Sequence, residues 1–377
     1  MKRRNFLKIG AASLSSALTG TVLSGCGDSS SPDGGNTPPP PADPVTPPPG
    51  SGTDTPPAPD TGGGTGTTPA PDDNTIPVSS TRSYFITEGF ITQPDNQAVY
   101  FRGYSLSETA LDVPAQPFIV SQGDSVTVTI NNTLGTDHSF VIDGIVDSGI
   151  IKAGESKTIS FTVNTPGSYM FYDSLNTPYN RLSGLHGGMA VMPAGSTDEL
   201  YPASPTYKQQ YFWLINDIDP VWHNDMKNNL TPTTPFTPFY FTINGLSMRV
   251  PGHPDYKNTA IDAGYNPQTR IVGSIGDRAL IRTLHAGLCT HSMHWHANHV
   301  EWLTRNGQIL ESIWEKDTIL LPGDKGSIDV IYPFTPPPNA LPPVTAGHFP
   351  MHLHDEMTQT AGGGLYQFGV ATTIEFI

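Results

Sequence analysis

The chain has little charge and lacks long amphipathic helical patterns. Charged residues make up 14% of its 377 residues, and 34 acidic residues outnumber 19 basic ones, giving a net charge of −15. Because nucleic acid and anionic lipid surfaces attract clustered Lys and Arg, this balance argues against both as partners. The 38 Gly and 38 Pro residues, without helical periodicity, favour an all-β fold of short strands and turns.

Cysteine is equally scarce, with Cys26 and Cys289 as the only two. Residues 1–26 begin with a basic stretch around Arg3 and Arg4, continue with a short run of small apolar residues and end in LSGC. This pattern resembles a twin-arginine export signal followed by a bacterial lipobox, in which Cys26 is lipidated after cleavage. The apolar run is shorter than the roughly 20 residues that span a bilayer. We therefore expect an exported, membrane-anchored lipoprotein on the periplasmic or cell-surface side, with no disulfide inside the fold.

Residues 27–80 contain almost no large apolar side chain and are rich in Pro, Gly and Thr. Such a composition cannot bury enough surface to offset the entropy of ordering. The segment is therefore predicted to be a disordered, partly polyproline linker that holds the folded part away from the membrane.

The remaining residues carry a weak internal repeat of β-strand patterns. The alternating segments GDSVTVTINNTL, IKAGESKTISFTV and PGSYMFY in the first half are followed by GDRALIRTL, LLPGDKGSIDVIY and GHFPMHLH in the second, in the same order. Strands at this spacing, separated by Gly and Pro turns, are typical of Greek-key β-sandwiches. The sequence predicts two tandem sandwiches, residues 81–200 and 201–377.

Histidines are concentrated in two segments of the second half. HSMHWHANH, residues 291–299, holds four of the twelve histidines, and MHLH, residues 351–354, holds two more. Residues two apart in a strand share a face, so His294 and His296 project together, as do His352 and His354, whereas His291 and His299 point to the opposite side. If the two strands are neighbours, four imidazoles converge on one metal site, which suits copper or zinc. The alternative is that these histidines decorate a polar loop or are satisfied in the core.

The motifs GDxVxVxxxN, PGxY, a His-rich strand and a closing GGxxV resemble the cupredoxin domains of the multicopper oxidases, over residues 83–377. The two-domain arrangement is similar to that of copper nitrite reductases and small laccases. His291-Ser-Met-His294-Trp-His296 resembles the HxxHxH motif, whose first histidine binds the blue copper and whose others bind the trinuclear cluster. Met351-His352-Leu353-His354 resembles the HCH motif, whose outer histidines serve the cluster. The resemblance implies copper ligands at His291, His294, His296, His352 and His354.

The chain also departs from the family pattern. Leu353 replaces the cysteine that binds the blue copper, and Thr358 and Gly363 stand where the next blue-copper ligands would fall. In the first half, Val141-Ile142-Asp143 and Asp173-Ser174-Leu175 stand where the family has two HxH motifs. The resemblance therefore implies neither a blue centre nor a complete trinuclear cluster between these two domains. It leaves one or two copper ions in a non-blue, histidine-coordinated centre in the second domain.

Further side chains are candidates to support such a centre. Asp143 and Asp173 could supply extra oxygen ligands or orient an imidazole, or they could cap turns. His285 and His348 are candidates for the entrance or for supporting contacts, and His299 is a candidate for supporting contacts. Met351 and Met357 are more typical of core residues than of copper ligands, and Cys289 is more typical of a buried free thiol than of a ligand. The sequence identifies no catalytic residue.

Three functions fit these observations. The first is a copper-dependent oxidoreductase of multicopper-oxidase type that acts on a small molecule or a metal ion. The second is a non-catalytic lipoprotein that handles copper, and the third is a degenerate cupredoxin scaffold with a structural role. The membrane is expected to be contacted only through the lipid anchor, and assembly into a homo-oligomer, as in some two-domain relatives, is left open.

Overall fold

The computed structural model describes residues 76–93, 97–245, 247–249, 269–338, 343, 345–355 and 368–377. Except for two helices of four and eight residues, the regular elements in these ranges are β-strands, so the all-β prediction is confirmed. Within the described part of the chain, no helix is long and apolar enough to cross a bilayer.

Alternation of apolar and polar residues forms the strands of the first half. In the segment Ser125–Asn132, Val126, Val128 and Ile130 are fully buried while the residues between them are partly exposed, as expected for a strand with one face on a core. The elements of this half are β1 Thr81–Thr92, β2 Ala98–Ser105, β3 Ala115–Ser121, β4 Ser125–Asn132, β5 Val141–Ile142, β6 Val146–Asp147, β7 Ser156–Thr162, β8 Gly167–Tyr172, α1 Tyr179–Leu182 and β9 His186–Met192.

The second half repeats this organisation with longer apolar runs. Its strand Arg278–His285 (β14) is buried along almost its whole length, because it is covered on both sides. The elements are β10 Gln209–Ile218, α2 Pro220–Lys227, β11 Tyr240–Ile243, β12 Met248–Arg249, β13 Ile271–Gly273, β14 Arg278–His285, β15 His291–Trp295, β16 Val300–Arg305, β17 Gln308–Lys316, β18 Thr318–Leu321, β19 Ser327–Pro333, β20 Gly347–Leu353, β21 Phe368–Gly369 and β22 Ala371–Phe376.

Each half is a sandwich of two sheets around its own apolar core. In the first half, a four-stranded sheet of order β2-β1-β4-β7 packs on a five-stranded sheet of order β3-β9-β8-β5-β6. In the second, a six-stranded sheet of order β11-β10-β14-β19-β16-β17 packs on a five-stranded sheet of order β13-β22-β20-β15-β18. The non-consecutive strand neighbours are typical of Greek-key connections.

A third apolar cluster joins the two sandwiches. Ile119 and Ala190 of the first half pack with Phe212, Leu280 and Leu284 of the second. Residues 76–80, which the sequence assigned to the end of the linker, also join the first sandwich. Ile76 is buried in the joining cluster, and Val78 forms a β-bridge with Ile119.

Helix α2 begins at a clear N-terminal signal. Asp219 precedes it, and its Oδ1 atom accepts hydrogen bonds from the backbone N–H groups of Val221 and Trp222 at 2.9 and 3.3 Å, while Pro220 occupies the first helical position. Both features are typical of helix starts. The helix carries the buried His223 against the first sandwich, where its Nδ1–H donates to the carbonyl of Tyr100 at 2.6 Å.

Candidate metal centre

The two histidine motifs lie on neighbouring strands. β15 and β20 pair in antiparallel fashion, and His294 stands directly opposite His352. Met293, Trp295, Met351 and Leu353 point to the other face of the sheet, where they are at most 1% exposed and belong to the core. The alternation of the strands therefore places the imidazoles on the outer face.

The outer face brings four imidazoles together. The ring centroids are 4.7 Å apart for His294 and His296, 5.3 Å for His294 and His352, and 4.4 Å for His294 and His354. One ring nitrogen from each of His294, His296 and His352 lies within 4.8 Å of the others. A single ion is therefore within reach of three of these side chains, and His354 is a ring neighbour of the group.

The facing nitrogens of His296 and His352 have the spacing of metal ligands. Their Nε2 atoms are 3.1 Å apart. Two nitrogens bound at about 2.0–2.1 Å to one tetrahedral ion would be separated by about 3.3 Å. The residues present therefore fit a bound copper or zinc ion with little rearrangement.

The environment keeps these rings uncharged. Partial burial, helped by the neighbouring imidazoles, lowers the pKa values of His294 and His352 and lowers that of His296 to about 4. A neutral imidazole has a free lone pair, which metal binding requires. At neutral pH the cluster is therefore ready to bind a metal ion.

Two of the rings are also fixed in orientation by their Nδ1 atoms. His294 Nδ1 lies 3.1 Å from the carbonyl oxygen of Asp317 and 3.0 Å from the hydroxyl of Thr318. His352 Nδ1 lies 3.0 Å from the carbonyl oxygen of Leu353. A nitrogen that faces a carbonyl carries the proton, so the lone pair of each ring is on Nε2. Asp317 and Thr318 were not recognised from the sequence, because residues 23 and 24 positions away from His294 give no local signal.

An open cavity adjoins the cluster. It has a volume of about 630 Å³ and is lined by His294, His296 and His299 together with the acidic residues Glu301, Glu315 and Asp317. The cavity gives a small molecule or ion access to the imidazoles. His299 thus lies at the rim of the site, whereas His348 is exposed on β20, four residues before His352.

His291 lies apart from the other predicted ligands. It points inward, is 1% exposed, and is held between two carboxylates, with Nε2 2.8 Å from Asp217 Oδ1 and Nδ1 3.1 Å from Asp355 Oδ2. Although burial disfavours the charged ring, these carboxylates raise the pKa of His291 to about 9. The structure therefore separates His291 from His294 and His296, as the odd spacing between them implies.

The two aspartates of the first half have other partners. Asp173 is buried and contacts His138 Nδ1 at 2.6 Å, while Asp143 contacts Tyr172 Oη and Lys325 Nζ, each at 2.7 Å. Among the described residues, neither aspartate has a hydrogen bond or ion pair with the histidine cluster. They stabilise the first sandwich and its contact with the second.

A core residue fills the position to which the sequence resemblance assigns the blue-copper thiolate. Leu353 is fully buried and faces Met293 across the strand pair, away from the imidazoles. Cys289 is partly buried against the same core. Cys26, Met357, Thr358 and Gly363 lie outside the described residues. A leucine offers no lone pair, so this strand supplies only nitrogen ligands.

Comparisons with known proteins identify the fold. No family model and no curated protein sequence matches the chain. Among solved structures, a blue copper oxidase from Nitrosomonas europaea is similar with a TM-score of 0.62 and 21% identity, over 78% of this chain and 85% of that one. The multicopper oxidase mgLAC gives a TM-score of 0.61 and 21% identity over the same shares.

A copper nitrite reductase from Nitrosomonas europaea is also similar, with a TM-score of 0.56 and 17% identity, over 79% of this chain and 93% of that one. Identities this low establish the fold alone. Together with the two sandwiches and their strand orders, they confirm the predicted resemblance: the chain has the two-domain cupredoxin fold that is shared by multicopper oxidases and copper nitrite reductases.

Proposed function

We propose that the chain is an exported copper-binding protein that uses a non-blue, histidine-coordinated copper centre in its second sandwich as an oxidoreductase. The observation that carries the proposal is the convergence of three imidazole nitrogens, from His294, His296 and His352, beside an open cavity. Imidazole suits copper, and copper(II) binds most tightly among the divalent first-row ions. The solved proteins with this fold are named as copper enzymes.

Different residues of the chain would hold the copper ion, orient a ligand ring and admit the substrate. Bound copper supplies one-electron redox chemistry, which the protein side chains cannot provide. His296 and His352 hold the ion through their Nε2 atoms, and the Asp317 carbonyl and the Thr318 hydroxyl fix the ring of His294. The cavity admits the substrate and keeps one side of the centre accessible to it.

The cavity also favours one class of substrate. Glu315 and Asp317 place carboxylates around its wall, beside Glu301, which is paired with Arg278. The whole chain is also acidic. A negative potential concentrates cations and repels anions. A small cation, such as a reduced metal ion, is therefore a better substrate for this site than an anionic molecule.

The N-terminal motif supports the proposed location. Residues 1–26 have the order of an export signal with a lipobox, so Cys26 would hold the protein on the outer side of a membrane. Contact with the membrane through the anchor alone agrees with the acidic composition. A second copy of the chain is a further proposed partner, by analogy with some two-domain proteins that the sequence resembles.

A second function, copper handling without turnover, rests on Leu353. In this chain a leucine fills the position of the thiolate that passes electrons to the cluster in the resembled family, and it is buried in the core. A centre without that route can still bind and release copper. Turnover with a reduced substrate therefore distinguishes the two functions.

The test is copper content, electron paramagnetic resonance and oxygen uptake of the full chain loaded with copper. A His294→Ala/His352→Ala double variant removes the centre, and a His348→Ala variant is the control, because it removes an exposed imidazole of β20 that does not line the cavity. We expect the first variant to bind one copper fewer per chain than the control and to lose oxygen uptake with phenols or reduced metal ions. Equal copper content in both variants would overturn the proposal. If the double variant loses copper but the wild type shows no oxygen uptake, the oxidoreductase function is ruled out and copper handling is the function supported.

A further inference from the structure

A second group of potential ligands lies inside the second sandwich. Asp217 stands near the end of β10, His285 at the end of β14 and His291 at the start of β15, and the three are 0, 0 and 1% exposed. One ligand atom from each lies within 4.8 Å of the others. This group shares no residue with the outer cluster of His294, His296 and His352.

His285 directs an unpartnered nitrogen into this group. Its Nδ1 lies 3.0 Å from the carbonyl oxygen of Pro322, so Nδ1 carries the proton and a neutral ring has its lone pair on Nε2. That Nε2 atom is buried, makes no hydrogen bond, and lies 3.5 Å from Asp217 Oδ1. Two lone pairs facing each other away from water are unfavourable unless a proton or a metal cation lies between them.

His291 has the orientation of a metal ligand with a supporting carboxylate. Its Nδ1 contacts Asp355 Oδ2, while its Nε2 points to Asp217 Oδ1. Histidines that bind metals usually donate their other N–H to a carboxylate or a carbonyl. His291, with Asp355, and His285, with Pro322, both follow this pattern.

Backbone N–H groups orient Asp217, and a glycine leaves space beside it. Asp217 Oδ2 accepts hydrogen bonds from the N–H groups of Leu288 and Cys289 at 2.8 and 2.7 Å, which leaves Oδ1 for the histidines. A Cβ atom at Gly287 would lie 2.4 Å from Asp217 Oδ2 and 2.7 Å from His285 Nε2. The glycine therefore keeps the approach between these two side chains open.

We propose that Asp217, His285 and His291 form a second metal site, which binds a divalent transition ion such as Zn²⁺ through one carboxylate oxygen and two Nε2 atoms. Binding replaces the proton that His291 shares with Asp217, and the proton is released to solvent. Two histidines and one carboxylate are a common ligand set for such ions. Three protein ligands leave a fourth position of the ion to water. Since all three side chains are buried, a substrate has little access to the ion, and we assign the site a structural role.

The position of the site explains how a bound ion would stabilise the fold. Asp217 and His285 belong to the six-stranded sheet and His291 to the five-stranded sheet, so one ion would tie the two layers together at one end of the sandwich. The carbonyl of Ala286, next to His285, also accepts a hydrogen bond at 2.9 Å from Arg181 of the first sandwich. The ion would thus stabilise the region where the two halves meet.

The experiment uses the full chain, freed of metal and then loaded with Zn²⁺. We expect the wild type to retain one Zn²⁺ per chain that a chelator removes slowly and that raises the unfolding temperature. His285→Gln should lose this ion and the temperature rise, whereas His294→Ala/His352→Ala should keep both, because it affects only the outer cluster. A wild type that retains no slowly exchanging ion, or a His285→Gln variant that retains it, would overturn the proposal.

Two further measurements guard against a variant that fails to fold. In crystals of the wild type, an anomalous difference peak at the zinc edge should lie between His285, His291 and Asp217, and its absence counts against the site. Asp217→Asn is a milder substitution than the loss of a histidine, because it keeps the shape of the side chain and removes only its charge, and it should weaken the slow ion. The proposed copper function is tested by the outer variants, so either proposal can fail without the other.

Discussion

His296 and His352 face each other with their Nε2 atoms 3.1 Å apart, although 56 positions separate them in the chain. The contact exists because β15 and β20 are direct neighbours and because the register places His294 opposite His352. A shift of the register by one residue would turn the imidazoles of one strand into the core. The fully buried Met293 and Leu353 on the opposite face therefore fix the position of the proposed metal ligands.

The Thr318 hydroxyl should strengthen copper binding without touching the ion. Thr318→Val keeps the shape of the side chain but removes the oxygen that lies 3.0 Å from His294 Nδ1. Because such contacts orient the ring, we expect copper to bind about 10-fold more weakly. Competition titration with a copper chelator measures the change. Thr129→Val, on the exposed side of the first sandwich, is the control, and an equal effect of both substitutions would contradict this role for Thr318.

Leu353 should contribute to the stability of the second sandwich and not to copper binding. It is fully buried in the core of the second sandwich, so Leu353→Ala is expected to lower the free energy of unfolding by about 2–5 kcal/mol. Leu320→Ala, on strand β18 of the same sheet, is the control. Because the side chain of Leu320 is 48% exposed, we expect a change of at most about 0.5 kcal/mol.

Urea unfolding at neutral pH measures both of these variants, and copper binding per folded chain should stay unchanged in both. A loss of copper from folded Leu353→Ala protein would show that Leu353 does more than fill the core.

His223 should make the protein sensitive to acid. Burial lowers its pKa from 6.5 to about 4, so between these values the unfolded chain binds a proton that the folded chain does not. The free energy of unfolding therefore carries no penalty from His223 above pH 6.5. It falls by up to about 3 kcal/mol as the pH drops toward 4. His223→Asn keeps a donor for the Tyr100 carbonyl but cannot be protonated.

The expected result is that urea unfolding of His223→Asn depends less on pH between 6.5 and 4 than that of the wild type. His348→Asn, which removes an imidazole in contact with water, is the matched control. If the wild type and His223→Asn lose stability in parallel over this range, another group causes the acid sensitivity.

Ser168 should couple the two sandwiches. Its hydroxyl donates to Asp329 Oδ1 at 2.5 Å and accepts from Arg282 Nη1 at 3.0 Å, and all three residues are buried. Ser168→Ala leaves two buried charged groups short of a partner, so we expect a loss of about 1–3 kcal/mol in the free energy of unfolding. Ser160→Ala, an exposed position on β7, is the control, and equal stabilities of the two variants would contradict the coupling.

Strand alternation made much of the outer site predictable. The spacing of His294, His296, His352 and His354 determined that each pair shares a face, because successive residues of a strand point to opposite sides. The same rule placed His291 on the other side. The all-β fold followed from the Gly and Pro turns and the alternating strands. The sequence resemblance also pointed to Leu353, which stands in an HCH-like motif in place of the cysteine.

Long-range contacts were not predictable from local patterns. Asp217 lies 74 positions from His291 and belongs to no recognisable sequence motif. Asp143 and Asp173 were candidates to support the histidines, but they contact other residues. The sequence by itself determined which side chains share a face, because that depends only on the two-residue period of a strand. The tertiary structure alone decided which strands are neighbours and which buried charges meet, because these depend on the packing of the sheets and on the pairing that burial requires.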